Sequence, residues 1–548
     1  MQDSCAARLH ALHSPDTDML LTQAQSRDAD AYAIAHHAPS LTLMENAARH
    51  VCRHAQKMLA HSTKTHVTVL VGPGNNGGDG LACARLLRQQ GVNARCALLT
   101  EHFAGDAATM AKRWDGQSLS LTALLQEQDS FQRHLFIDGL FGIGLTRPLC
   151  SIPALTIERL NQCQSLVLAI DMPSGLHSDT GRVVSDNTHQ GNAPYATRTI
   201  TFFSLKPAHL LYPAKAHCGA VYVANLLDEA TSQHHHACLR HATRHGPSLR
   251  MNTPRQWRHV IERQTRYDDH KYRRGVVSVY GDYGRFPLTS IGASRLTACS
   301  AALCDVGMVR LASDTPETCH KQLFTQSPTM WASWLDDAHG TSYVLGPGLI
   351  TKQSAMRRPF GALFRLLRTT IHRLNAKSQR TPYPPTLILD AGMLHPPLMA
   401  WLSRQERHFT LILTPHIGEA LRCWHHLQQR QQSKWQWAQK IASLMRATLI
   451  LKGTDSVVAH HDGRIIINAH TSSALATAGS GDILSGILAG LCASNPVHDP
   501  FLKSAAAIYC HADAAIEALR HSAHPVNPSH ILSFLPIALA RWQHMRYI

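Results

Sequence analysis

Gly479-Ser480-Gly481-Asp482 sets small residues against one acid, and an apolar run with Leu484, Ile487, Leu488 and Leu491 follows at helical spacing. A helix entered through such a loop aims unpaired backbone N–H groups, and the positive end of its macrodipole, at whatever fills the loop. That arrangement binds phosphate or another oxyanion. Asp482 then stands beside the anion, positioned to take a proton from a hydroxyl about to react. A tight turn capped by Asp is the competing reading of so short a motif.

Glycines crowd residues 72–80 as well, GPGNNGGDG, directly after the apolar stretch Val67 to Val71. Asn75, Asn76 and Asp79 add hydrogen-bond donors and oxygen ligands that a bare turn does not need. The pattern is neither GxGxxG nor Walker A, which excludes those two readings. Two more acids stand where apolar runs end: Asp138 after His134 to Ile137, ahead of GLFGIGLTRP, and Asp171 after Leu166 to Ile170, ahead of MPSG. Each alone reads as a cap or turn former. Together the three ends converge on the crevice outside the carboxyl edge of a parallel sheet.

The C-terminal half repeats this placement with shorter motifs. Gly346-Pro347-Gly348 closes one apolar run, Asp390 another in TLILDAGML, and His416 and Glu419 follow LILTP. Lys452-Gly453 ends TLILKGTDSVVA, ahead of a hairpin turn at Asp462-Gly463. Singly, a hydrogen-bonded loop histidine or a solvated lysine accounts for each. Their order before GSGD is what is specific.

The elements needed to hold these residues are alternating strands and helices. Residues 16–60 read as helices, with Ser40 as an N-cap; the strand at 67–71 is followed by the helix LACARLLRQQG. In the second half VVSVYG at 276–281 precedes the apolar helix SIGASRLTACSAALCDVG, and a further helix covers 435–446. The alternation predicts an α/β fold, mostly parallel sheets with crossover helices. A chain of 548 residues predicts several domains; two of about 230 and about 290 residues fit ordinary domain sizes. Polar, irregular sequence from Leu226 to Arg255 marks the joint, so we expect domains over 1–228 and 259–548 and a polar His-rich linker over 229–258. His234, His235 and His236 there could bind metal, although adjacent imidazoles on such a segment are more often simply solvated.

Composition narrows the partners. Lys+Arg 53 against Asp+Glu 37 gives +16, with 38 His to add charge as pH falls. The basic residues are scattered, without an aromatic-interleaved stripe or a nucleic-acid motif, so the charge is read as suiting an anionic dinucleotide and not nucleic acid. The 14 Cys form no CxxC pair, and Cys83, Cys299 and Cys304 fall on apolar helical patterns. They read as the reduced, packed thiols of a cytoplasmic enzyme. MQDSCAARLH lacks a signal peptide's basic start and apolar stretch, and no run of ~18 apolar residues predicts a membrane span.

GPGNNGGDG, Asp138 in IDGLFGIGLTRP and Asp171-Met-Pro-Ser174-Gly together resemble the NAD(P)H-hydrate epimerases, over roughly residues 18–228. The resemblance implies a Rossmann-like domain with a bound potassium ion. Asn76, Asp138 and Ser174 would be its ligands; Asn75, Asn76, Gly77, Gly78 and Asp79, with Gly142, Ile143, Gly144, Leu145, Thr146, Arg147, Pro148 and Asp171, would hold the hydrated nucleotide. Inverting a 6-hydroxyl on a hydrated nicotinamide ring requires losing hydroxide or opening the ring, then returning to the other face, and Asp138 is expected to carry that proton. Gly139 stands where the family usually has Ala.

GPG, LDAG, TPHxGE, LKGT and ATAGSGD resemble the ADP- or ATP-dependent NAD(P)H-hydrate dehydratases, over roughly residues 260–545, and imply a ribokinase-like fold. Lys452, Gly453, Thr454, Asp455, Ser456 and Gly481 would bind the adenine nucleotide, with magnesium; Ala293, Gly348, His416 and Asp482 would contact the hydrated dinucleotide. Asp482 would be the catalytic base for phosphorylating the 6-hydroxyl before phosphate leaves. Ser480 replaces a usual Thr, Ala478 a usual Gly, and Arg285-Phe-Pro is bulkier than the family pattern. The expected whole is a bifunctional repair enzyme, a homo-oligomer acting on the hydrates of NADH and NADPH. Two rivals remain: a ribokinase-type small-molecule kinase, in which GPGNNGGDG has no role, and a basic nucleotide- or RNA-binding protein with a decayed second half.

Overall fold

Runs of three to six residues, mostly β-branched or leucine-rich, build one mostly parallel sheet in each half of the chain. The computed structural model describes residues 18–127, 129–186, 189–227, 232–262, 270–280, 291–313, 329–333, 339–349, 357–429, 432–497, 499–522 and 525–543. The chain divides into two compact units, Met1–Met251 and Asn252–Ile548.

The first unit carries strands β1 His66–Val71, β2 Asn93–Leu98, β3 Ser118–Ser120, β4 His134–Gly139, β5 Leu166–Ile170, β6 Arg198–Phe202, β7 Ala220–Ala224 and β8 Ser248–Met251. Its helices are α1 Gln23–His36, α2 Ser40–Ala60, α3 Asn75–Gln89, α4 Gly105–Arg113, α5 Leu121–Gln126, α6 Ser130–Arg133, α7 Ser151–Gln162, α8 Ala214–Cys218 and α9 Ser232–Ala242. The seven-stranded sheet runs β3-β2-β1-β4-β5-β6-β7, parallel throughout. Alternation along the strands builds a core on each face. Val67, Val69, Ile137 and Ile170 meet α2 and α3 on one side, while Leu70, Phe136, Val167 and Ala169 meet α5 and α7 on the other. The chain reverses direction between β1 and β4, so the doubly wound switch point lies at their carboxyl ends.

Local chemistry sets the helix starts. Thr22 and Gln25 form a capping box on α1. Ser40 is the first residue of α2, not its cap: Pro39 takes the cap position without a side-chain bond. Inside the stretch expected as a polar linker, α9 buries Cys238, Leu239 and Ala242 against Leu21, Ala29 and Ala33. Its apolar residues recur at helical spacing among the histidines, which is why polarity alone misread it. Among the described residues no cluster of His, Cys, Asp or Glu could hold a metal ion, and no helix is long and apolar enough to cross a membrane.

The second unit carries β9 Val276–Tyr280, β10 Met308–Ser313, β11 Thr329–Ser333, β12 Ser342–Leu345, β13 Thr386–Leu389, β14 Thr410–Leu413, β15 Thr448–Leu451, β16 Val457–His460 and β17 Arg464–Ile467. Its helices are α10 Pro254–Ile261, α11 Ile291–Ala302, α12 Arg357–Ser378, α13 Pro396–Leu402, α14 Ile417–Trp424, α15 Lys434–Met445, α16 Ser480–Ser494, α17 Pro500–His521 and α18 Pro528–Gln543. The strands run β11-β10-β9-β12-β13-β14-β15-β16-β17, parallel up to β15 and then antiparallel through the hairpin. Val279, Val344, Ile388, Ile412 and Ile450 meet α11, α16 and α17 in one core; the alternate residues Leu345, Leu389, Leu413 and Leu451 are buried on the other face. The Gly281 to Pro287 loop, with Arg285, lies outside the described residues.

Candidate active sites

In the first unit α3 begins at Asn75, so Asn75, Asn76, Gly77, Gly78 and Asp79 are its first turns and not a loop ahead of it. Its N-terminus thereby opens at the switch point. A cavity of ≈950 Å³ sits there, lined by Asn75, Asn76, Asp79, the Gly142–Pro148 loop and Asp171. Gly77 and Gly78 lie behind it: both are buried, and a Cβ on Gly77 would stand 1.9 Å from the Gly72 carbonyl oxygen.

Asp138 is fully buried and does not line the cavity. Its Oδ2 accepts the Ser174 N–H at 2.8 Å and its Oδ1 the Ser174 hydroxyl at 2.7 Å. Burial raises its pKa, against the pull of these bonds. Asp138, expected to carry the substrate's proton, is thus held near the end of β4 with both carboxyl oxygens bonded by Ser174. The Ser174 hydroxyl also lies 3.1 Å from the Phe141 carbonyl oxygen, and Asn76 Oδ1 lies 3.2 Å from where a Cβ on Gly142 would stand. Asn76 Nδ2 is buried without a partner.

The cavity's other acids differ in their company. Asp171 adopts a left-handed backbone, φ 61°, and its Oδ1 accepts the Lys206 ammonium at 2.7 Å and the Thr201 hydroxyl at 2.8 Å. Burial opposes its ionisation, yet Lys206 and Thr201 hold its pKa below the ordinary value. Lys206, 1% exposed, also bonds the Phe202 carbonyl, and His209 Nε2 lies 3.1 Å from the Asp171 carbonyl. Asp30 on α1 lines the same cavity, and burial lifts its pKa to about 6. Sequence reading missed Lys206 and Asp30; an isolated Lys in FFSLKPAH and an Asp in a polar helix carry no local signal.

In the second unit Gly479 caps α16 at φ 95°, a left-handed conformation that glycine adopts without a Cβ penalty. The α16 N-terminus faces the ends of β13, β14 and β15. Lys452 Nζ lies 2.8 Å from Asp390 Oδ1, and a Cβ on Gly481 would stand 3.4 Å from that ammonium. Asp390 Oδ2 accepts the Ser485 hydroxyl of α16 at 2.7 Å. Burial opposes ionisation of this pair, but the mutual field keeps Asp390 below and Lys452 above their ordinary pKa values. Asp482 is half-buried; desolvation lifts its pKa to about 6, with Asp390 raising and Lys452 lowering it.

The remaining expected residues assemble around these. The Thr297 hydroxyl lies 3.1 Å from the Ala293 carbonyl and 3.0 Å from that of Asp482, joining α11 to α16. Gly348 has φ 78°, and Gly346, φ 125°, packs so that a Cβ would meet the Asp390 carbonyl oxygen at 1.7 Å. His416 caps α14, its Nδ1 accepting the N–H groups of Gly418 and Glu419, and its ring is largely exposed. Lys452 N–H bonds the Pro415 carbonyl at 2.8 Å. Beyond Lys452 the Gly453–Ser456 turn closes on itself, Gly453 N–H to Ser456 Oγ at 3.1 Å. Asp455 is not free for a ligand: Lys434 Nζ holds its Oδ1 at 2.6 Å.

A doubly wound α/β unit with an acid-lined strand-end cavity, followed by a parallel α/β unit with a Lys–Asp pair under a glycine-entered helix, defines a two-domain α/β enzyme. Residues 40–208 match the family model of the YjeF-related protein N-terminus, and 288–537 that of NAD(P)H-hydrate dehydratase. Over 552 residues the chain is 29% identical to the bifunctional NAD(P)H-hydrate repair enzyme Nnr of Moorella thermoacetica, across 95% of this chain and 96% of that one. Over 479 residues it is 30% identical to the enzyme of the same name from Thermofilum pendens, across 82% of each. A crystal structure of an ADP/ATP-dependent NAD(P)H-hydrate dehydratase from Bacillus subtilis, co-crystallised with ATP and Mg2+, is 22% identical and covers 53% of this chain and 98% of that one, with a TM-score of 0.42. The chain belongs to the bifunctional NAD(P)H-hydrate repair enzyme family.

Proposed function

We propose that this chain epimerises the R and S hydrates of NADH and NADPH in its first unit and dehydrates the S form in its second, using ADP or ATP. The observation that carries the reading is the Lys452–Asp390 pair set beneath the N-terminus of α16, with Asp482 on its first turn. Backbone N–H groups and Lys452 there suit a nucleotide's phosphates, and Asp482 suits removal of the proton from a 6-hydroxyl as phosphate is transferred to it. Phosphate then leaves C6 with its bonding electron pair and a proton is lost from C5, restoring the C5=C6 double bond of the dihydronicotinamide. The nucleotide enters as its magnesium complex.

In the first unit the 950 Å³ cavity is sized for part of a dinucleotide. Asp138, Ser174 and the Phe141 carbonyl offer oxygens at one place, and Asn76 brings its amide oxygen there, beside Gly142. This donor set fits an alkali cation such as potassium. Asp138, Ser174 and Asn76 would hold it, and it would supply fixed positive charge opposite an anionic ligand.

The test is recovery of dihydronicotinamide absorbance from mixed NADH hydrates with ADP, ATP or neither. Complete nucleotide-dependent recovery is expected, slowed ~10²- to 10⁴-fold by Asp482→Asn. A stable phosphorylated product would favour a ribokinase-type kinase instead, and no recovery would sink the dehydratase reading.

A further inference from the structure

Asp79 is 9% exposed and faces the first unit's cavity. Among the described residues no hydrogen bond or ion pair reaches its carboxyl. Asp171, which also lines the cavity, has its Oδ1 held by Lys206 and Thr201. Asp30, on α1, opens on the same cavity and is likewise without a hydrogen bond among the described residues. Buried polar groups are ordinarily paired, and an unpaired carboxyl in a ligand cavity marks a group kept for the ligand.

The charged groups around Asp79 come from every element that frames the cavity: Arg27 and Asp30 on α1, Asp106 on α4, Arg147 on the loop after β4, Asp171 after β5, and Lys206 behind Asp171. Asp186 and His189 line the outer part and hold each other at 3.3 Å. Burial raises the Asp79 pKa well above the ordinary carboxylate value, and Asp171 and Asp30 raise it further. Asp79 thus stands unpaired, its protonated form favoured, in the cavity where the epimerase reading puts the substrate.

Resting on that reading, we propose that Asp79 is the general acid–base of the epimerisation. The Asp79 carboxyl gives its proton to the C6 oxygen, the C6–O bond breaks with its electron pair going to the departing water, and the N1 lone pair forms the N1=C6 double bond. Water adds to the opposite face of C6, the N1=C6 pair returns to nitrogen, and the Asp79 carboxylate takes the proton that the incoming water sheds. Nothing is oxidised or reduced. The transient cation at N1=C6 is balanced by the negative charge left on Asp79.

The experiment uses the full chain with (R)-NADH hydrate, ADP and magnesium, the second unit serving as detector and (S)-NADH hydrate as its control. Asp79→Asn is expected to slow conversion of the R form ~10²- to 10⁴-fold, with (S)-hydrate dehydration unchanged. Inversion in ¹⁸O-water is expected to place the label on C6. Wild-type protein that dehydrates the S form yet never converts the R form would sink the epimerase reading itself. Active wild type with Asp79→Asn within about threefold of it, or an Asp79→Asn chain that fails to fold, overturns the catalytic role of Asp79. Retention of the original C6 oxygen overturns the C–O cleavage.

Discussion

The ammonium of Lys452 and the carboxylate of Asp390 meet at 2.8 Å, one at the end of β15 and the other at the end of β13. Asp390 is 2% exposed, and Ser485 binds its second oxygen. Two strands and α16 are therefore tied through one buried ion pair. Deleting one partner leaves the other charge buried and unpaired, at a cost of ~3–5 kcal/mol. Asp390→Asn should lower the thermal transition of the full chain at pH 7, and a transition within a degree of wild type would show the pair to be energetically idle. The pair's pH window follows from the two shifts. Asp390 is held below its usual pKa, so its contribution is present above the ordinary carboxylate value and lost as pH falls through the lower folded value. Lys452 is held above its usual pKa, so its contribution is present below the ordinary lysine value and lost only as pH rises through the higher folded value.

Asp482 titrates at about 6 because desolvation and Asp390 outweigh Lys452. If it is the base, dehydration should rise with pH through about 6 and level off. Asp390→Asn should move that limb lower by removing a negative neighbour. An acid raised in the folded state favours folding more as pH falls through its folded value, and opposes it above. Asp482→Asn should therefore lose ~10²–10⁴ in rate while raising the melting temperature at pH 8 and not at pH 4. Calorimetry at the two pH values and an initial-rate profile read both halves of this trade.

Strand-end acids and glycine turns were legible from sequence because backbone geometry demands them: Asp138, Asp171, Asp390 and Lys452 all sit at carboxyl ends of parallel strands. Gly479 was legible for the same reason, since its left-handed cap excludes most side chains. Depth was not legible. Whether Asp138 faced a cavity or the sheet interior depended on Ser174, 36 residues away, and periodicity carries no such information. Lys206, Asp30 and Lys434 were missed because their partners are remote and their own neighbourhoods are ordinary. The α9 helix was missed because histidines masked its apolar spacing.

Lys434 Nζ binds both Oδ1 and the backbone carbonyl of Asp455, at 2.6 and 2.9 Å. The 452–456 turn, proposed to hold the adenine nucleotide, is thus braced from α15. Lys434→Met removes the ammonium that holds the buried Asp455 carboxylate and carbonyl, so the turn loses its brace from α15. The expected result is a rise in the KM for ADP or ATP of about tenfold, ~1.4 kcal/mol, with a smaller change in kcat. A lowered kcat at unchanged KM would place Lys434 in the chemistry instead of in support of the turn.

Gly72 gives the sharpest test of how the first unit's site is built. A Cβ there would stand 1.7 Å from the Leu140 carbonyl oxygen, a backbone atom that cannot rotate away. The turn after β1 and the loop after β4 must therefore part if any side chain is introduced. Both segments line the cavity, through Pro73 and Gly74 on one side and Leu140 and Phe141 on the other. Gly72→Ala should destabilise by at least ~1–3 kcal/mol and abolish conversion of the R hydrate, while dehydration of the S hydrate by the second unit persists. Gly74→Ala is the stability control: nothing lies within 4 Å of its would-be Cβ, and its melting temperature should match wild type. Equal melting temperatures for the two variants would mean that the β1 and β4 ends do not close on each other at Gly72 as described.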